Sequence, residues 1–292
     1  MIRVLCVICG LLSFVAIANA QSRKPTLSVL DFGETAWGKR TAETLRERFR
    51  TTGKVRVADA DLSRSAAMGV GYEGSLNLSV TEARDLGAAL ATDYYLIGDA
   101  QTLRRSSSVS PVYYESYCSV FLVSSRTGRL LRWDRPSFEN NDATKAEELL
   151  AQDLSNQLCL RLLISITRAE DDEQMERTLI KSSATPLIEE APDDEKTAAA
   201  QGLRLPRPYR RARPEYPESA ARAEAEATVD VLVDVGANGE VGEVQVVRWA
   251  GFGLDEATIA TVKGMHFFPA MKNGTAIPMR VLLRYNFRKP PR

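Results

Sequence analysis

Histidine is nearly missing. His266 stands alone in 292 residues, and one imidazole cannot build a His-based metal cluster. Cysteine is scarce too. Of the four present, Cys6 and Cys9 have C-x-x-C spacing but lie inside an apolar run. Cys118 and Cys159 lack metal-ligand spacing. No G-x-S-x-G or S-x-x-K occurs, so nucleophilic serine chemistry has no local signature. An excess of charge of either sign is also absent. The 38 Lys and Arg balance 38 Asp and Glu, so the chain is no nucleic-acid binder by charge. These absences predict a non-enzyme with no metal and no cofactor.

Two features point weakly the other way. Gly69-Val70-Gly71-Tyr72-Glu73-Gly74 matches G-x-G-x-x-G. It follows an Ala-rich helical piece and leads into Ser75-Leu76-Asn77, whereas a dinucleotide site needs strand, turn and helix. It reads as a flexible loop. Asp31 and Glu34 sit at the end of the first strand, where α/β sheets often place ligands. Acids there are more commonly solvated loop residues.

The N-terminus has targeting character. Arg3 precedes an uncharged apolar run, Val4 to Ala18, and Ala18-Asn19-Ala20 is a small-x-small site before the polar Gln21-Ser22-Arg23-Lys24. Residues 1–20 read as a signal peptide. The rival is an uncleaved anchor in the inner membrane, for which the run falls short of the about 20 residues a span needs. Export predicts a periplasmic chain and permits a disulfide between Cys118 and Cys159. Two buried thiols are the equal alternative.

Residues 26–168 read as a first domain, an α/β unit with a mixed sheet. Leu27 to Phe32 is a near-continuous apolar strand, the mark of burial on both faces. Ala42, Leu45 and Phe49 line a helix that Gly53 stops. A helix at Thr81–Ala91 precedes the strand Tyr94–Gly98, and Tyr113–Val123 and Leu130–Trp133 flank Thr127-Gly128 as a hairpin. Leu150, Leu154, Leu158 and Leu162 stripe a long helix, Asp142 to Arg168. Residues 169–208 read as a linker, acidic and then basic, with too little apolar surface to fold alone. Arg204, Arg207, Arg210, Arg211 and Arg213 read either as contact with an anionic surface or, preferably, as a solvated extended lead.

Residues 209–292 carry the clearest pattern. Val229, Val231, Val233 and Val235 alternate with Thr228, Asp230 and Asp234, as in a half-buried strand. Gly236-Ala237-Asn238-Gly239 is a tight turn into a second strand, Glu240 to Arg248. Leu254, Ala257, Thr258, Thr261 and Val262 recur at helical spacing, with Asp255 and Glu256 in the first turn. After Phe267-Phe268-Pro269-Ala270 and Asn273-Gly274 comes a last strand, with Ile277, Met279, Val281, Leu283, Tyr285 and Phe287 on one face. The fold class expected for the whole is α+β.

This order, with Tyr216-Pro217 at its start and Gly253-Leu254-Asp255 opening the helix, resembles the C-terminal domain of the TonB energy transducers. Leu86 to Gly98 resembles, more loosely, the N-terminal periplasmic domains of CsgG-like and TolB proteins. The TonB resemblance implies a small domain with two helices and an antiparallel sheet. It implies binding of a "TonB box" peptide of an outer-membrane receptor by strand addition, with a proton-driven inner-membrane motor as a further partner. Tyr216 and Pro217 match the family's receptor-facing block. By geometry, the exposed edge would be Pro278 to Phe287. Leu282 sits at its middle, and Arg280 and Arg284 are placed to steer a peptide. A folded domain stands where the family usually has a long Pro-rich spacer. That leaves open a second reading, a periplasmic scaffold or adaptor using the module for protein binding or homodimerisation.

Overall fold

The computed structural model describes residues 23–106, 112–180, 188–192 and 195–289. The leader, residues 1–20, lies outside them. The fold is α+β.

The first half contains β1 (Thr26–Val29), α1 (Ala36–Thr52), β2 (Arg56–Val57), α2 (Ala60–Gly69), α3 (Val80–Leu90), β3 (Tyr94–Arg105), β4 (Tyr113–Ser124), β5 (Leu130–Asp134), β6 (Ser137–Asn140), α4 (Ala143–Asp153) and α5 (Cys159–Ile180). The strand order is β2-β1-β3-β4-β5, with β6 beside β4. β1 pairs in parallel with β2 and β3, and the remaining pairs are antiparallel. The mixed sheet follows from the chain order: crossover helices give parallel neighbours, and the Thr127-Gly128 turn gives a hairpin.

Strand alternation splits the core in two. Leu27, Val29, Leu96, Val120 and Leu122 face α1, α4 and α5. Tyr95, Ile97, Phe121 and Val123 face α2 and α3. The leucine stripe is buried throughout. A strict four-residue repeat drifts by about 40° per step on an α-helix. The π turn Leu154–Leu158, with more residues per turn, takes up that drift between α4 and α5.

The second half contains β7 (Glu189–Glu190), α6 (Glu195–Ala200), β8 (Leu203–Arg204), β9 (Arg207–Pro208), α7 (Glu218–Ala223), β10 (Ala227–Val235), β11 (Val241–Arg248), α8 (Leu254–Lys263), β12 (Phe267–Phe268), β13 (Ala270–Lys272), β14 (Thr275–Ile277) and β15 (Met279–Phe287). Its main sheet runs β11-β10-β15-β7. The valines of β10 pack with Leu254, Val262 and Phe267. Gly239 turns the β10–β11 hairpin at φ +81°, where a Cβ would meet the Phe267 carbonyl oxygen at 2.0 Å.

The stretch expected as a linker is largely built into the two halves. α5 runs beyond Arg168 to Ile180 because its acids find partners on the β4–β5 turn. Arg126 holds Glu173 at 2.7 Å and Arg129 holds Glu176 at 3.2 Å. Further on, Ala198 and Leu203 are buried in the C-terminal core. There β8 pairs with β13 and β9 with β12. Composition alone concealed this, since each segment folds only against a surface elsewhere in the chain.

The disulfide does not form. Cys118 and Cys159 are free and buried in one core cluster. Burial raises the Cys159 thiol to about 11 and pushes Cys118 up as well, so both stay protonated and unreactive. In the chain from Gln21 onward, a thiol reagent at pH 8 should titrate two thiols in denaturant and react only slowly with the native protein. A denatured count of zero without reductant would show a bridge.

Candidate peptide-docking edge and the joint behind it

β15 is paired along its full length on one side. All nine residues face β10, from Met279 opposite Val235 to Phe287 opposite Ala227. The other side is largely unpaired. Ala191 N–H donates to Arg280 O at 2.8 Å, which fixes the direction of the backbone groups. In a strand, N–H and C=O of one residue point to the same side and alternate along the chain. The backbone groups of Leu282, Arg284 and Asn286 therefore face away from β10. Among the described residues no strand pairs with this other side of β15 beyond Arg280. Leu282 is 53% exposed.

The arginines expected to steer a peptide are committed within the sheet. Arg280 grips Asp234 through two bonds of 2.6 and 2.9 Å, and Arg284 grips Asp230 through 2.7 and 2.9 Å. Both aspartates are buried. Such two-point pairs fix orientation and neutralise the carboxylates they cover. Tyr216 and Pro217 are structural at this point in the fold. Tyr216 donates to Ala225 O at 2.7 Å and packs its ring near Phe287. Pro217 occupies the N-cap of α7, and Pro278 lies just before β15. Tyr216 thus meets the far end of the edge, while Arg280 lies at the near end.

The other notable acids and the lone histidine are equally accounted for. Burial pushes the Asp31 carboxyl up, but hydrogen bonds and charge from Arg46 and Arg64 outweigh it and hold it below the usual range. His266 is exposed beside Glu240. No group of three or more His, Cys, Asp or Glu among the described residues could hold a metal. Gly69 closes α2, and Gly71 and Gly74 follow in loop.

Sequence reasoning missed the joint between the two halves. Trp249, between β11 and α8, is buried in the N-terminal core. It stacks on Phe121 at 5.9 Å and donates Nε1–H to Gly128 O at 3.0 Å. Phe252 meets Phe121 at 5.4 Å and Trp133 at 5.6 Å. Gly251 lies between them at φ +70°, where a Cβ would strike the Phe121 ring at 2.5 Å. Asn77 latches the back: its amide donates to Thr228 O and Trp249 O and accepts from Thr228 N–H. Asp255 shapes the loop by accepting from Ala250 and Gly251 N–H at 2.9 and 2.8 Å. The available signal was a tryptophan and a phenylalanine among glycines in a hairpin-to-helix loop, where bulky apolar residues have no local core to fill.

An α+β domain ending in a partly unpaired strand is thus locked onto an α/β body. Residues 212–288 match the family described as Gram-negative bacterial TonB protein C-terminal, and the C-terminal domain is TonB-like. No curated protein matches the chain. Among solved structures, the chain is similar to the TonB C-terminal domain of Pseudomonas aeruginosa (22% identity, 30% of this chain, 89% of that one, TM-score 0.26). It is also similar to a hypothetical protein of Chlamydia trachomatis (12%, 48% and 96%, TM-score 0.35) and to a lipoprotein of Neisseria meningitidis (14%, 46% and 97%, TM-score 0.33). The family match, not these distant likenesses, carries the assignment.

Two outcomes test the joint. Trp249→Ala should cost about 3–5 kcal/mol, the usual range for deleting a large buried aromatic, and should split a single thermal transition into two by calorimetry. A shift under 1 °C would show that the halves do not share a core.

Asp255 gives a pH signature. Burial raises its carboxyl to about 7, outweighing the two N–H donors. Between about pH 4 and 7 the folded chain holds a proton that the unfolded chain has released, so stability falls as pH rises. The slope is on the order of 1.4 kcal/mol per pH unit. Asp255→Asn should flatten the pH dependence of the melting temperature in that window, and an unchanged slope would count against it.

Proposed function

We propose that this is a periplasmic, TonB-like protein of the cell envelope whose C-terminal domain binds an extended peptide of an outer-membrane receptor by strand addition along β15, in the service of energy-coupled transport. No reaction is part of this reading. The observation that carries it is the row of outward backbone groups at Leu282, Arg284 and Asn286, on a domain of the TonB C-terminal type. An extended peptide can complete that ladder and gains mainly backbone hydrogen bonds. It loses conformational entropy on docking, so affinity is modest.

The joint at Trp249 favours a second reading. A domain packed onto a folded body is placed like a module of a scaffold or adaptor, whereas force transmission needs a domain hung on a long tether. In both readings the same edge does the binding, and they differ in whether an inner-membrane motor is a partner.

The backbone is the lever for testing this, because Arg284→Glu would set a carboxylate against Asp230. Leu282→Pro removes an N–H that faces away from β10, a position where an edge strand tolerates proline. Leu283→Pro removes an N–H that faces β10. In NMR titrations with peptides from the periplasmic ends of outer-membrane receptors, the wild type should shift along β15. Leu282→Pro should stay folded and lose binding by about tenfold or more, while Leu283→Pro should melt well below the wild type. Shifts centred on β10 and β11, or full binding by Leu282→Pro, would defeat strand addition.

A further inference from the structure

The β15 edge has a resident. β7 pairs with its first two residues in parallel, Glu189 opposite Met279 and Glu190 opposite Arg280. Ala191 N–H closes the ladder on Arg280 O, and the Ala191 side chain packs against the C-terminal core. Charge holds the register. Lys272 Nζ lies 3.2 Å from both carboxylate oxygens of Glu189. Arg280 is raised first by its hydrogen bond to Asp234 and also by the nearby Glu190 carboxylate. The hold is slight: two residues of ladder and one exposed ion pair, an interaction that contributes little at a surface. Downstream, at Leu282, Arg284 and Asn286, no described strand pairs with the edge.

We propose that residues 189–191 are a built-in competitor for the docking edge, closing its Arg280 end until an incoming peptide displaces them. This rests on the strand-addition reading. A peptide first pairs at Leu282 and Arg284 and then zips toward Arg280, evicting the resident strand. The resident also specifies its replacement. A chain that takes its place runs parallel to β15 and brings carboxylates to the positions beside Lys272 and Arg280. The matching ligand is an extended peptide with acidic residues at its N-terminal end and β-forming residues after them.

The test uses the chain from Gln21 to Arg292 and the synthetic peptide Glu-Glu-Thr-Val-Thr-Val, with Lys-Lys-Thr-Val-Thr-Val as control. Without peptide, the Ala191 amide should be protected from hydrogen exchange. The acidic peptide should remove that protection as it binds, and the basic control should bind more weakly. Ala191→Pro deletes the donor to Arg280 O, and Glu189→Lys sets like charge against Lys272. Ala191→Pro should tighten binding of the acidic peptide by about threefold to tenfold, the worth of one net hydrogen bond, and Glu189→Lys by a smaller factor, as loss of an exposed ion pair implies. Free exchange at Ala191 in the peptide-free protein would overturn the resident strand even if peptides bind. So would release variants that bind no tighter than wild type. A protected Ala191 with no peptide binding to the wild type or either variant would instead defeat the strand-addition reading, and with it the competitor role.

Discussion

The seating of Trp249 in the N-terminal core is the contact on which the rest of the architecture depends. An indole buried this deeply contributes through area and stacking, and its one polar group must find an acceptor, which the Gly128 carbonyl supplies. The loop bearing it can approach only because Gly251 has no side chain and a positive φ, and because Asp255 draws in the Ala250 and Gly251 amides. Asn77 completes the joint by serving backbone groups of β10 and of Trp249 at once. Side chains from both halves therefore share one cluster, and the orientation of the C-terminal sheet is set by the N-terminal body.

The outer face of that sheet obeys a second constraint. Asp230 and Asp234 are buried carboxylates, and burying a charge is costly unless it is paired and hydrogen-bonded. Arg284 and Arg280 meet that need across the strand pair, and Arg248 reaches both Asp230 and Glu82 of the N-terminal half, at 3.6 and 3.1 Å. The arginines that resemble a steering patch are thus consumed in stabilising β10 against β15. What β15 offers a partner is its backbone, with Leu282 as the exposed side chain at the centre. The proposed strand addition would rest on main-chain groups, which tolerate varied peptide sequences, and would leave selectivity to the Arg280 end, where Lys272 lies.

Much of the fold was legible in the sequence because it is locally encoded. The valine alternation of β10, the glycine at the hairpin corner and the acids opening α8 are set by period and turn chemistry and took the form their patterns implied. The leucine stripe is buried as expected but is broken by the π turn Leu154–Leu158, and β10 is more than half-buried because Asp230 and Asp234 are covered too. The linker was misread for a physical reason. Glu173 and Glu176 look solvated in composition, and only the fold brings Arg126 and Arg129 to them. Ala198 and Leu203 are too few to suggest a core, and only the C-terminal sheet supplies the surface that buries them.

The candidate site divides the same way. Sequence by itself determined the TonB-like module, its last strand and the apolar face that strand turns inward, since these depend on residues close in the chain. Tertiary structure alone decided that Arg280 and Arg284 are locked to aspartates about 50 residues away (46 and 54), that Cys118 and Cys159 are buried in one cluster, that Glu189 and Glu190 lie on the edge, and that Trp249 joins the halves. Each of these is a pairing between groups distant in sequence. Period and propensity carry no information about such pairs, because the interaction exists only once the chain has folded and removed both partners from water.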